Sequence, residues 1–374
     1  MLTFMQIEQI SNKKDLEDFI RFPWKVYQGD RNWVPPLISE MKFLLGDKNP
    51  FFRHAEAAYF LARRNGAVLG RIAAIVDRNH INIHREQCGF FGFFECLPDP
   101  AIAAGLLAAA AGWLRERDID TMRGPLNPST NDECGFLLEG FDSPPMIMMT
   151  YTPRYYLDYM EQCGLVKARD LYAYLSVIKD VTAGDRLERL ASAVRARVPG
   201  LVVRPARMDR FRKELEAVKD IYNSAWSHNW GFVPMTDDEI ESMAKRLKSL
   251  IVPELLIMAE INGSPAGFFM AVPDYNQVLG RINGRLGPLE LLQFLWYSRK
   301  ITDIRVLTMG VKEEYRRKGI EALLYLESFK AATRRGYGRA EMSWVLEDNE
   351  LMKKGCELMG GKLYKKYRIY EKKI

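Results

Sequence analysis

Asp303-Ile-Arg-Val-Leu-Thr-Met-Gly-Val-Lys-Glu-Glu-Tyr-Arg-Arg-Lys-Gly-Ile-Glu321 is the stretch from which the fold can be read. Its first half carries Ile304, Val306, Leu307 and Val311, an apolar, largely β-branched run that predicts a strand. Ile320, Leu323 and Leu324 then start a helical pattern directly after Gly319. A strand therefore feeds a helix through a basic turn that contains glycine. The first N–H groups of a helix lack intrahelical partners and carry the positive end of its dipole. Such a turn suits a phosphate, and Arg316, Arg317 and Lys318 add charge to it. The residues point to a diphosphate cradle.

Outward from this stretch the chain repeats itself. Tyr59 to Val76 reads as two strands about Asn65-Gly66, and Leu255 to Val272 as two strands about Asn262-Gly263. In each case another glycine stands four residues on, at Gly70 and Gly267. After each hairpin the pattern runs strand, helix, strand, helix, strand. In the second copy these are Asp303 to Val311, Gly319 to Arg334, Arg339 to Leu346, Asn349 to Met359 and Lys362 to Tyr370. A repeat of this size predicts two domains, residues 1–182 and 183–374. Between Asp180 and Pro199 the pattern reads as a charged helical linker.

The two strand-to-helix turns differ. The first copy has Leu97-Pro98-Asp99-Pro100, where two prolines remove N–H donors and Asp99 is placed to cap the helix with its own carboxylate. An anion site there is already filled. The Asn-, Pro-, Ser- and Gly-containing segment from Gly124 to Pro145 is long for a connection inside a compact domain. His80 and His84 stand four apart in what reads as a polar connection, and no metal site is expected there.

Composition narrows the function classes. The chain has 374 residues, 48% hydrophobic and 27% charged, with no apolar run long enough to span a bilayer. Five scattered cysteines without a Cys-x-x-Cys pair argue against a disulfide framework or a zinc site. The start of the chain lacks signal-peptide features, so a cytoplasmic protein is expected. The net charge of +6 is spread along the chain, which suits an anionic co-substrate; neither nucleic acid nor membrane is expected as a partner.

Arg316-Arg317-Lys318-Gly319-Ile320-Glu321, after a strand ending in Val311, resembles the Arg/Gln-x-x-Gly-x-Gly/Ala signature of the GNAT superfamily of acyl-CoA-dependent N-acyltransferases. Glu321 departs from it, standing where the family has Gly or Ala. The order of elements resembles that fold over most of both halves. The resemblance implies an α+β protein of two tandem GNAT-like domains, each a mixed, mostly antiparallel sheet flanked by helices, with a degenerate first copy.

The same resemblance implies the site. Acetyl-CoA or another acyl-CoA would lie on Arg316 to Glu321, its pantetheine arm along Met309, Gly310 and Val311, with Asn349 in contact with that arm. Cys356 stands where the family often carries the tyrosine that protonates the leaving thiolate, so it is the implied acid. The acceptor, a small-molecule amine, would meet the loop after Trp226, with Trp226, His228 and Trp230. The implied activity is N-acyl transfer, in the first instance N-acetyl transfer. Two other readings remain: a CoA-independent tandem aminoacyl transferase, and a non-catalytic acyl-CoA-binding protein.

Overall fold

The computed structural model describes residues 4–182, 184–227 and 229–374. The chain divides into two compact units. The first contains Met1–Leu171, Asn276–Trp296 and Lys365–Ile374; the second contains Tyr172–Tyr275 and Tyr297–Tyr364. The sequence reading cut the chain once, after residue 182, whereas these units are discontinuous in sequence.

In the first unit, strands β1 (Gln6–Gln9), β2 (Ala55–Arg64), β3 (Ala67–Asp77) and β4 (Cys88–Cys96) form an antiparallel run, and β5 (Thr121–Gly124) pairs parallel to β4. The end of the last strand of the chain pairs antiparallel with β5, Tyr370 to Lys373 against Gly124 to Thr121. Two short pieces, β6 (Leu126–Asn127) and β7 (Glu133–Cys134), pair with each other, and β8 (Phe136–Glu139) follows. The strand β9 (Val166–Val177) leads out of this unit.

The second unit repeats the arrangement. Strands β10 (Leu201–Pro205), β11 (Leu256–Ile261), β12 (Ser264–Pro273) and β13 (Asp303–Val311) are antiparallel neighbours, and β14 (Arg339–Leu346) pairs parallel to β13. The closing strand is β15 (Lys362–Lys373). Both hairpins turn as the sequence predicts, with positive φ at Asn65 and Gly66 (53° and 77°) and at Asn262 and Gly263 (51° and 80°). Positive φ at both central residues belongs to the turn whose twist matches that of the strands. The glycine four residues on marks a close approach in each copy. A Cβ on Gly70 would lie 2.7 Å from the Leu106 side chain, and one on Gly267 would lie 2.9 Å from the Gly310 carbonyl.

Each sheet is covered by helices that bury apolar faces. The helix Pro100–Arg115 puts Ile102, Leu106, Ala110 and Trp113 into one core with Phe91, Phe136 and Tyr156. Each large side chain so buried contributes about 1.5–3 kcal/mol. In the second unit Ile320 and Leu324 of the helix Ile320–Arg334 pack on Ile257, Phe269 and Ile304.

Three segments differ from the sequence reading. Gly184–Arg197 is a helix, but not a linker: Leu187, Ala191 and Val194 face Leu323 and Leu326 in one core, because its apolar residues share a face behind the charges. Residues 78–84 form a short helix in which Asp77 caps Asn79 N–H and His80 is buried, rather than a polar connection. Between β12 and β13, a stretch the sequence reading left unassigned, stand two helices, Asn276–Ile282 and Pro288–Ser298.

Candidate active site

The parallel pairing of β13 with β14 stops early. Asp303 to Val306 face Arg339 to Met342, and among the described residues Leu307 to Val311 have no partner strand on that side. On the other side the ladder with β12 continues to Val311, but Thr308 pairs with Met270 and Val306 with Ala271, so Leu307 is an extra residue. A bulge of this kind bends a strand and raises its twist. Burial follows the geometry: both ends of β13 are buried, while Val306 to Met309 are only half-buried. The middle of this central strand is therefore less covered than its ends. Within it, the hydroxyl oxygen of Thr308 is buried without a hydrogen-bond partner.

A buried polar strap ties the two strands where they begin to part. Arg305 and Glu341 are register partners, and Arg305 Nε stands 3.5 Å from Glu341 Oε1. Arg305 also donates to Ser343 Oγ at 2.9 Å, and that hydroxyl donates to Glu341 at 2.6 Å. The Tyr364 hydroxyl donates to the other Glu341 oxygen. Glu341 is fully buried, so the charge is compensated inside the sheet. The sequence reading did not single out Glu341. Polar residues two apart on one face of a strand that the topology buries, Glu341 and Ser343, were the available signal.

Beyond Val311 the chain enters the predicted cradle. Arg317 takes φ of 62° and Gly319 φ of 81°, and Gly319 is the N-cap of Ile320–Arg334 with no side-chain cap. A Cβ on Gly319 would stand 2.7 Å from the Val194 side chain, so the turn requires glycine for both its φ and its space. Ile320 buries its side chain in the core, leaving its backbone as its contribution to the turn. Of the three cations, Arg316 donates to the Ala225 carbonyl at 2.7 Å, Lys318 lies 4.9 Å from the Tyr315 ring, and Arg317 is exposed. An uncapped helix start beside three cations fits the diphosphate of a coenzyme A thioester.

The remaining implied residues fall as follows. Met309 is partly buried against the core, and Gly310 lies under Trp226, whose ring is 2.4 Å from where a Cβ would be. Trp226 also stacks on Tyr222 with centroids 4.7 Å apart, and Trp230 is half-buried. His228 lies outside the described residues. Asn349 caps its own helix, its side chain accepting the Met352 N–H at 3.1 Å.

Cys356 is buried, and burial with the nearby Glu357 pushes its thiol up to about 12. Beside it stands a phenol that the sequence reading did not single out. A Cβ on Gly355 would be 2.3 Å from the Tyr325 hydroxyl oxygen. Burial, Cys356 and Glu321 hold that phenol well above its ordinary range, so it keeps its proton. Tyr325 stands four residues after Glu321, one turn on along the same face of the helix.

The first copy has the same frame and fills it. β4 carries one extra residue opposite β3, and its parallel pairing with β5 stops at Phe90 and Arg123. Into that gap runs β6. The Leu126 carbonyl lies 1.8 Å from where a Cβ on Gly92 would be, and Asn127 Oδ1 accepts the Phe93 N–H at 2.6 Å. Asp99 accepts the Ala101 N–H at 2.9 Å, occupying the helix start as its position in the sequence predicts. Counted from Gly70 and Gly267, Glu95 stands in register where the second copy has Gly310. This is what part of the long segment after Gly124 does.

His80, Glu86 and Cys88 place donor atoms within 4.8 Å of one another. Glu86 is already held by His80 and Arg123, each at 2.8 Å, so its charge is neutralised by an arginine.

Comparison with known proteins agrees with this geometry. The family model described as "Acetyltransferase (GNAT) family" matches residues 215–354, which contain the splayed strands and the cradle. Protein YghO of Escherichia coli (strain K12) is 37% identical over 369 residues, covering 97% of this chain and 94% of that protein. A protein of Caulobacter vibrioides named bacterial ceramide synthase is 37% identical over 379 residues, covering 99% and 98%. Among solved structures, a tandem GNAT protein from the clavulanic acid biosynthesis pathway superposes with a TM-score of 0.58 at 13% identity, over 99% of this chain and 98% of that one. With its doubled sheet, its splayed second copy and relatives matched over nearly their whole length, the chain belongs to the GNAT acetyltransferase family.

Proposed function

We propose that the protein is an N-acyltransferase that moves the acyl group of an acyl-CoA to the amino group of a long-chain amine. The observation that carries this reading is the combination, in one copy, of an uncapped cationic turn and a strand open along its middle. The relative named bacterial ceramide synthase supports the acceptor class, since a ceramide is the fatty amide of a long-chain amino alcohol. Acetyl-CoA stays within the reading as one acyl donor among several.

Coenzyme A supplies an acyl carbon activated as a thioester. The chain's own part is to hold and to protonate. Arg317, Lys318 and the N–H groups after Gly319 would take the diphosphate, and the open edge of Leu307–Val311 offers backbone groups to an extended arm. The amine must attack as the neutral base; as its nitrogen bonds to the acyl carbon and gives up one proton, the carbon–sulfur bond breaks and the sulfur takes one up, so the step is proton-neutral overall. Cys356 occupies the family's acid position and the Tyr325 hydroxyl stands beside it; both are buried and both keep their protons, and we assign the donor to Tyr325 because it is a phenol, the group the family often uses. The phenol then comes from a different helix than the family uses.

An acceptor panel tests the reading. Acetyl-, octanoyl- and palmitoyl-CoA are offered with a long-chain amino alcohol or with short polar amines, and free thiol and amide product are followed together. The expected result is thiol release that depends on the long-chain amine, with one amide formed per thiol. Release with short polar amines alone would move the acceptor to another class. Binding of acyl-CoA without release above the buffer rate would make the protein a non-catalytic binder.

A further inference from the structure

The insertion between β12 and β13 has two parts of opposite character. Its first helix, Asn276–Ile282, is anchored. Val278 and Ile282 are buried, Asn276 donates to the Pro145 carbonyl at 2.9 Å, and Asn283 accepts from Trp24 at 2.7 Å. Gly284 closes the anchor, with the Trp24 ring 2.5 Å from where its Cβ would be. The second helix, Pro288–Ser298, buries no residue, although its sequence is Pro-Leu-Glu-Leu-Leu-Gln-Phe-Leu-Trp-Tyr-Ser. Leu289 is 73% exposed, Leu292 65%, Leu295 54% and Trp296 58%. Leu286 and Leu291 are exposed as well.

Two observations say what covers this helix. At about 100° per residue, Leu289, Leu291, Leu292, Phe294, Leu295 and Trp296 sweep roughly 220° of its circumference. A helix that docks on another protein element shows a stripe nearer ~100° wide, because only one side is covered. An arc twice as wide suits a fluid surface into which the helix sinks much of its circumference, rather than one rigid protein face. The second observation is charge. Residues 281–300 contain four basic side chains, Arg281, Arg285, Arg299 and Lys300, against one acidic, Glu290. All four basic residues are exposed. Apolar residues flanked by Lys and Arg are the pattern of a helix that lies in the headgroup region of an anionic bilayer.

We propose that Pro288–Ser298 docks the protein on the surface of an anionic lipid bilayer, the leucines and Trp296 entering the acyl boundary and the flanking arginines and lysine meeting lipid phosphates. The helix is far shorter than a spanning segment, and no helix among the described residues is long and apolar enough to cross a membrane. The contact is therefore peripheral, and it departs from the expectation that membranes are not partners. The geometry stands without the acceptor reading above, which adds only a purpose: a long-chain amine resides in such a bilayer.

Flotation of the full chain with vesicles tests the proposal. Vesicles of phosphatidylcholine with phosphatidylglycerol should carry the protein, and vesicles of phosphatidylcholine alone should carry far less. The triple variant Leu289→Glu, Leu292→Glu, Leu295→Glu should lose binding while keeping the melting temperature. Arg285→Ala, Arg299→Ala, Lys300→Ala should lower partitioning about a hundredfold, from roughly 1 kcal/mol per cation. Wild type that floats with neither vesicle, or a leucine variant that floats as before, overturns it. A dimer of the wild type that the leucine variant dissolves, with no vesicle binding, would assign the helix to a second copy instead. Turnover of a detergent-solubilised long-chain amine, measured on both proteins, is independent of docking; its absence would count against the acceptor reading and leave the flotation result intact.

Discussion

Tyr325 and Cys356 separate two ways of delivering one proton. Both groups are buried side by side, and both are held in their protonated forms. If the phenol serves the leaving sulfur, Tyr325→Phe should lower kcat by about a hundredfold, the lower range for a lost general acid, with little change in acyl-CoA affinity. Cys356→Ala should change kcat by less than about threefold and cost on the order of 1 kcal/mol of stability. Single-turnover kinetics with melting curves on both variants decides between them; the reverse pattern would return the role to the thiol. In the first copy, Glu95 accepts from Tyr27 at 2.9 Å and Tyr156 at 2.8 Å. Burial pushes its carboxyl up to about 7, against the opposing pull of Arg71 and both tyrosines. With the folded value raised above the unfolded one near 4.5, the native state binds the proton more tightly. That stabilisation is complete below pH 4.5 and is lost as pH rises through 7. It amounts to about 3 kcal/mol, and Glu95→Gln should remove it. Melting temperature against pH from 5 to 8 should slope downward more steeply in wild type than in the variant; equal slopes would contradict the assignment.

At the scale of elements, β13 and β14 match their sequence readings end for end, because each pairs a clear period with a turn at its limits. Positive φ at Asn65, Gly66, Asn262 and Gly263 was legible for the same local reason. What was not legible depends on partners far away in sequence. The helix Gly184–Arg197 looks like a linker until Val194 meets Gly319. Glu341 looks like a solvated strand residue until Arg305, Ser343 and Tyr364 surround it. The wedge Leu126–Asn127 reads only as turn-forming residues, and its purpose follows from lying against Gly92 and Phe93. The apolar helix Pro288–Ser298 fell between two strongly patterned strands and obeys no core-facing period, so periodicity offered nothing to assign.

At the scale of the whole molecule, one frame was used twice and opened once. In the first copy Asp99, Asn127 and the Leu126 carbonyl occupy from within the positions that Gly319 and the free edge of β13 leave open in the second. The sequence announced half of this asymmetry, through Pro98-Asp99-Pro100, and the structure supplied the other half. Calorimetric titration of the protein with coenzyme A tests it most directly, using Gly319→Pro and Asp99→Ala beside the wild type. One site per chain is predicted, lost in Gly319→Pro, where proline cannot take φ of 81° or donate an N–H, and unchanged in Asp99→Ala. Two sites per chain, or a Gly319→Pro protein that is folded and binds as tightly as wild type, would contradict it.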